Sequence, residues 1–353
     1  MRNPLETPPR NMKIKISQPL CFSALGQKPN QEDALFPPQG AATHDSRVFL
    51  VCDGMGGHEH GEVASACVAE TIGRCTAHRP VSTTEEMKQA FEDALQEAYA
   101  RLNELDQSHS ERKMGTTLTF LALCSDGALV AHIGDSRVYQ FRPGKGVVFQ
   151  TRDHSLVNEL IAAGELNEEE AKSFSQRNVI TRAVQPHQEY PAKATFTVLT
   201  DIRPGDLFFL CCDGVLEQLG NPDLERLLLS HDTPEKRLRT LQEECRKRMT
   251  RDNNTAYLIE VKEVEDADQV KLSMVAHESE KAESTTAEIT RPDKKRQMSR
   301  SSIVIAVCLI IIAAILYFLF WGAQSEQETV KHSKQPKVEK VEKTQGIIQR
   351  HKK

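Results

Sequence analysis

Two Asp-Gly pairs, Asp53-Gly54 and Asp213-Gly214, each follow an apolar run, RVFLVC at 47–52 and LFFLCC at 207–212. Each run predicts a strand buried on both faces that delivers its aspartate at the end. Two further acids stand at comparable places. Asp135 lies in Gly134-Asp135-Ser136, after a strand predicted over 128–133, and Asp252 lies in Arg251-Asp252-Asn253-Asn254, ahead of one over 255–261. Carboxylates gathered by strand ends into one cleft would repel one another and rise in pKa unless a cation neutralised them. Hard divalent ions such as Mg²⁺ or Mn²⁺ take oxygen ligands of this kind. Two of them roughly 3.5–4 Å apart would turn a bridging water into hydroxide and stabilise in-line displacement at phosphorus. A single Asp-Gly after a strand is more often a turn; the four acids together imply the site.

The elements that must position these acids are readable between them. A hairpin is predicted from 117–124 and 128–133 through the turn Ser125-Asp126-Gly127, followed by a short strand over 138–141. Ala64, Cys67, Val68, Thr71, Ile72 and Cys75 keep the spacing of a core-facing helix, and Met87, Phe91, Ala94, Leu95, Ala98, Leu102 and Leu105 that of a second. Leu156, Leu160 and Ile161 mark a shorter helix capped by Gly164; 224–229 and 238–249 supply two more. Short strands in hairpins with helix pairs between them predict an α+β sandwich rather than a doubly wound parallel sheet. Neither G-x-G-x-x-G nor G-x-x-x-x-G-K-[ST] occurs, so nucleotide cradling of those kinds has no support.

Composition narrows the class. The 353 residues carry 45 Lys+Arg against 50 Asp+Glu, a net charge of −5, which argues against a dedicated nucleic-acid binder. The 9 cysteines form no C-x-x-C pair, so zinc-ribbon and thioredoxin spacings are absent and the thiols fit a reducing compartment. Vicinal Cys211-Cys212 point to opposite faces of one strand. The first residues, MRNPLETPPRNMKIKISQ, contain no apolar core of a signal peptide.

The ordered motifs resemble the metal-dependent serine/threonine phosphatases of the PP2C (PPM) family, in its bacterial form. They are Lys28-Pro29-Asn30-Gln31-Glu32-Asp33-Ala34, then Asp53-Gly54-Met55-Gly56-Gly57-His58 with Gly61 and Ala64-Ser65, and Met114-Gly115-Thr116-Thr117. Gly134-Asp135-Ser136-Arg137 with Tyr139, Asp153-His154-Ser155, Val179-Ile180-Thr181-Arg182-Ala183, Cys212-Asp213-Gly214 and Asp252-Asn253-Asn254-Thr255 complete the series. The resemblance spans about residues 15–262 and implies an α-β-β-α sandwich. It implies Mn²⁺ or Mg²⁺, two per active site, with a weaker third. Asp53 would bridge the pair, the Gly54 carbonyl would bind one metal, and Asp213 and Asp252 the other. Glu32 would bind directly or through water, Asp33 would order metal-bound water, and Asp135 with Asp213 would hold the third ion. The implied reaction is direct attack by metal-activated hydroxide on phosphoserine or phosphothreonine, with no phosphoenzyme. Its partners are phosphorylated proteins made by a serine/threonine kinase.

Several positions depart from the family pattern. Lys28 stands where an arginine usually clamps the phosphate, and lysine supplies a point charge without the bidentate fork. Cys212 replaces a serine, and Glu217 stands where an acid of the third-metal region is often Asp; both read as tolerated changes, either in packing or in the surroundings of the metal ligands. Met55 cannot protonate a leaving alkoxide, which leaves a metal-bound water or His58. His154 reads as a structural hydrogen-bonding residue and His60 as an exposed loop residue. The polar stretch 165–177 is expected to form a flap beside the cleft, the alternative being an ordinary surface loop. A catalytically silent phosphoprotein-binding scaffold is the alternative; the complete set of acids favours the enzyme.

Outside 15–262, residues 1–14 form an N-terminal extension and 263–302 a polar linker without Phe, Tyr or Trp. Residues 303–321, IVIAVCLIIIAAILYFLFW, carry no charge and no proline. As a helix they would be roughly 28 Å long, enough to cross a bilayer. Arg291, Lys294, Lys295, Arg296 and Arg300 precede the run, whereas the first base after it is Lys331. This predicts a single-pass membrane protein with its catalytic domain in the cytoplasm and a polar basic tail over 322–353.

Overall fold

The computed structural model describes residues 11–56, 60–79, 82–106, 114–176 and 178–266. The chain divides into two units, 1–280 and 281–353, and the described residues all belong to the first. The expected linker beyond Asp266, the apolar run 303–321 and the tail lie outside the described residues, as does His58. Among the described residues no helix is long and apolar enough to cross a membrane.

In chain order the first half contains β1 Met12–Ile16, β2 Leu20–Ala24, β3 Ala34–Phe36, β4 Val48–Cys52, β5 Gly54–Met55, α1 Gly61–Ala77 and α2 Thr84–Leu105. Next come β6 Gly115–Thr116, β7 Leu118–Leu123, β8 Ala128–Ile133, β9 Arg137–Arg142, β10 Gly146–Gln150, α3 Leu156–Ala163 and α4 Glu168–Ser173. The last elements are β11 Thr195–Leu199, β12 Leu207–Cys211, α5 Asp213–Leu216, α6 Asn221–Leu228, α7 Pro234–Lys247 and β13 Asn254–Asp266.

Two antiparallel sheets carry the fold. One runs β1-β13-β12-β9-β10, with β2 also on β13; the other runs β11-β8-β7-β4-β3. β4 explains why both faces of each sheet are buried. Phe49 and Val51 join the core shared with the first sheet, whereas Val48, Leu50 and Cys52 join a second core containing Val68 and Ile72 of α1 and Phe91 and Leu102 of α2. α6 and α7 cover the outer face of the first sheet through Leu224, Leu228, Leu238 and Leu241. This is the expected α-β-β-α sandwich. Period-2 alternation sorts side chains between two apolar layers, so these strands read as unbroken apolar runs.

The sheet is wider than the sequence suggests. β13 is 13 residues long and pairs β2 through Asn254–Leu258, then β1 through Val261–Asp266. The strand pair therefore takes in Met12–Lys15 and residues beyond 262, where charge hides the pattern. Lys15 Nζ lies 2.8 Å from Glu263 and 2.5 Å from Glu265, so the alternating charges that look like a linker are cross-strand partners. Part of the expected flap is helical: α4 is capped by Asn167, whose side chain accepts from the Glu169 and Glu170 backbone N–H groups.

One ion pair is fully inside. Asp206, 0% exposed, accepts from Arg142 Nε and Nη2, each at 2.8 Å, and from Gln140 Nε2 at 2.8 Å. Asp201 takes the remaining Arg142 Nη1 at 2.8 Å. Asp206→Asn removes the charge and turns one acceptor into a donor facing a guanidinium. A loss of about 2 kcal/mol is expected in a urea titration, within the range for hydrogen bonds to charged groups.

Candidate metal centre and catalytic cleft

The acids predicted at the strand ends converge. A cleft of about 250 Å³ is lined by Lys28, Glu32, Asp53, Gly54, Asp135, Asp213 and Asp252, together with Thr117, Asn178 and Ile180. β4 delivers Asp53, β12 delivers Asp213 at the start of α5, the turn after β8 delivers Asp135, and the residue two before β13 is Asp252. Asp33 does not line the cleft; it is 9% exposed, and neither of its carboxylate oxygens has a hydrogen-bond partner among the described residues. Asp213 Oδ1 is likewise buried without one.

The loops carrying these acids are tied together by Asn253, which is 2% exposed. Its Oδ1 accepts from Glu32 N at 2.7 Å, and its Nδ2 donates to Leu25 O at 3.0 Å and Asn30 O at 2.9 Å. One amide thus fixes the Lys28–Glu32 loop against Asp252. Gly54 has a packing reason of its own, since a Cβ there would collide with the Glu32 and Gly61 carbonyls. A Cβ on Gly214 would strike the Asn253 carbonyl in the same way. Thr117 supports Asp53 from below: its Oγ1 accepts from Asp53 N at 3.0 Å and pairs with Ser136 Oγ at 2.7 Å.

Electrostatics mark the cleft as a cation site. Burial, then the charges of Asp33 and Asp213, raise the Asp53 pKa well above the carboxylate range. Burial and the charge of Asp213 push Asp135 up to about 7; burial, reinforced by Asp213 and Asp252, takes Asp33 to about 7. Asp213 is raised mainly by burial, with the charge of Asp252 acting in the same direction. Carboxylates crowded this closely repel one another unless protons or a cation neutralise them. Orphaned buried oxygens and crowded acids at one opening fit hard divalent cations. Burial opposes the charge of Lys28, but Asp252 at 2.9 Å and Glu32 at 3.7 Å outweigh it and raise its pKa.

The neighbouring motif residues are structural. Arg137 forks onto Asp153 at 2.6 and 2.7 Å, which braces the Asp135 turn. His154 Nδ1 accepts from Gly134 N at 3.1 Å, its Nε2 meets Thr195 Oγ1 at 2.9 Å, and its ring stacks on His132 at 4.5 Å. Burial and the His132 neighbour hold its pKa down at about 4. Glu217 faces Arg251, accepting from Nε at 2.7 Å and from the backbone N at 2.9 Å, so it steadies the Asp252 loop.

The family profile "Protein phosphatase 2C" matches residues 23–252. The chain belongs to the protein phosphatase 2C family. It is an enzyme, a serine/threonine protein phosphatase of a metal-dependent family. Protein phosphatase PhpP of Streptococcus pneumoniae is 32% identical over 221 residues, covering 63% of this chain and 88% of that protein. The Streptococcus agalactiae serine/threonine phosphatase structure matches with a TM-score of 0.60 at 29% identity, over 71% of this chain and 100% of that one. The catalytic domain of the phosphatase PstP, solved with 2 manganese ions, matches with a TM-score of 0.56 at 26% identity, over 70% of this chain and 99% of that one.

Thr117 and Asn253 lie inside the recognised motifs, but nothing in their spacing assigns either a role. The positions of their partners, 64 and 221 residues away, are set by tertiary structure alone. Asn178 and Ile180 line the cleft just after the stretch read as the flap. Ile180 is held there by an isolated bridge to Ser155.

Proposed function

We propose that this phosphatase hydrolyses phosphoserine and phosphothreonine in proteins using two Mn²⁺ or Mg²⁺ ions, with a weaker third, and works while tethered to the cytoplasmic face of a membrane. The observation that carries the catalytic part is the convergence of Glu32, Asp53, Asp135, Asp213 and Asp252 on one small cleft beside Lys28. Asp53 at the centre and Asp213 and Asp252 around it would hold the cations with the Gly54 carbonyl and Glu32; Asp33 would order water behind them, and Asp135 with Asp213 would take the third. When bound, the ions supply an activated water and charge neutralisation for in-line displacement at phosphorus. Lys28 Nζ is the chain's own cation at the cleft and would contact the phosphate oxygens. Met55, also at the cleft, has no proton to give the leaving alkoxide.

The catalytic reading is tested on the full chain, stripped of metal, with a phosphothreonine peptide. Phosphate release that needs Mn²⁺ or Mg²⁺ and stops with chelator is the expected outcome; cation binding without turnover would favour the silent scaffold. Lys28→Arg adds the second prong of the phosphate clamp, so kcat/KM should rise about 3- to 10-fold, chiefly through KM. The tether rests on the uncharged run 303–321 and the basic residues at 291–300. It predicts that the full chain stays with membranes through alkaline extraction and that protease added to spheroplasts spares the catalytic domain; release into the soluble fraction would remove it.

A further inference from the structure

Behind the cleft, the side chains of Asp33, Asp53 and Cys212 each offer one ligand atom, and these atoms all lie within 4.8 Å of one another. Cys212 is 0% exposed and its sulfur is held in place: Thr255 N donates to Sγ at 3.1 Å, and Sγ faces the Asn253 carbonyl at 3.4 Å. Asp33, nine-tenths buried, has two oxygens without hydrogen-bond partners beside that sulfur. A serine at 212 would add a hard hydroxyl to this group; the cysteine adds a soft donor.

We propose that Asp33, Asp53 and Cys212 form a mixed oxygen–sulfur site for a thiophilic divalent cation such as Zn²⁺ or Cd²⁺, overlapping the catalytic centre at Asp53. Thiolate favours Zn²⁺ and Cd²⁺ over Mg²⁺ and Mn²⁺, and nitrogen, oxygen and sulfur sites bind Zn²⁺ more tightly than Mn²⁺ in any case. Three donors within 4.8 Å of one another are close enough to gather around one ion at Zn–S and Zn–O lengths near 2.3 and 2.0–2.2 Å. Occupation engages Asp53, so the soft ion competes with the hard ions for a shared ligand. Cys211, the last residue of β12, is not among the three.

A sulfur ligand at this site is visible spectroscopically and independently of turnover. The full chain is alkylated in the folded state to block reachable thiols such as Cys21, Cys67 and Cys75, then loaded with one equivalent of Zn²⁺ and examined by X-ray absorption. One sulfur at about 2.3 Å with oxygens at about 2.0–2.2 Å is expected. A shell of oxygen and nitrogen alone overturns the proposal in the wild-type protein, whatever the variants do. Cys212→Ser should lose the sulfur shell, and Zn²⁺ affinity should fall by more than about 100-fold, since loss of an outer partner alone costs 10–100-fold. A sulfur shell that persists in Cys212→Ser, or Zn²⁺ affinity unchanged in Asp33→Asn, also overturns it. A phosphatase inactive with Mn²⁺ that still shows the shell would sink the catalytic reading and leave this one standing.

Discussion

Asp53→Asn in the full chain is expected to lower kcat/KM on a phosphothreonine peptide by at least about 1,000-fold at saturating Mn²⁺. The residue sits where β4 ends, with the charges of Asp33, Asp213 and Asp135 all acting on it. An amide keeps the shape and one acceptor oxygen but supplies no charge to a cation. Removing several kcal/mol of transition-state charge stabilisation corresponds to three or more orders of magnitude in rate. Loss through unfolding is separable, because the substitution deletes a charge from a crowded acidic cluster. The metal-free variant should melt at or above the wild-type temperature at pH 8. An active Asp53→Asn enzyme would remove this residue from the centre, and an inactive one that melts early would leave the loss explained by folding. Thr117→Val should act in the same direction more weakly, since it removes the acceptor that holds Asp53 N and leaves the carboxylate in place.

What could be read from the sequence follows where the physics is local. β4, β7, β8 and β12 stand out because both their faces are buried, which replaces polar–apolar alternation with a mostly apolar run. α1 and α2 stood out by helical spacing, and each was longer than its apolar positions alone marked. The acids of the cleft were legible because Asp-Gly after such a run is conspicuous. β1, β3, β10 and β11 were not marked, since short or half-exposed strands mix charge with apolar residues and owe their existence to partners far away. The same limit hid Asn253. It lies inside a recognised motif, but its role is to bind backbone at residues 25, 30 and 32, and no spacing in the sequence encodes that closure. Cys212 read as strand packing, and it is buried; its approach to Asp33 and Asp53 is visible only once the two sheets are assembled.

The metal-free protein is expected to lose stability as pH rises from 6.5 to 8, and divalent cations are expected to restore it. Asp33 and Asp135 have folded pKa values of about 7, above the usual ~3.9 of an unfolded aspartate, and Asp53 and Asp213 are raised as well. A raised pKa means that the folded state keeps protons the unfolded chain has released. Stability from these groups is complete below about pH 4 and is lost as pH climbs through about 7. His154, held down at about 4, works in the opposite sense: unfolding exposes it to protonation, so its contribution grows with pH up to about 6.5 and is then constant. The carboxyls are therefore isolated above pH 6.5. Ionising two groups with pKa near 7 between pH 6.5 and 8 costs about 1.5 kcal/mol, or roughly 3–6 °C in melting temperature for a domain of this size. Mn²⁺ takes the place of the protons, so its stabilising effect should be larger at pH 8 than at pH 6.5, and binding should release protons on the acid side of that range. Asp135→Asn removes one of the titrating groups and should flatten the metal-free profile by about half. A metal-free melting temperature that stays level or rises across this window would mean that the acids of the cleft are already ionised and neutralised by the protein itself, and the electrostatic case for a cation would fall with it.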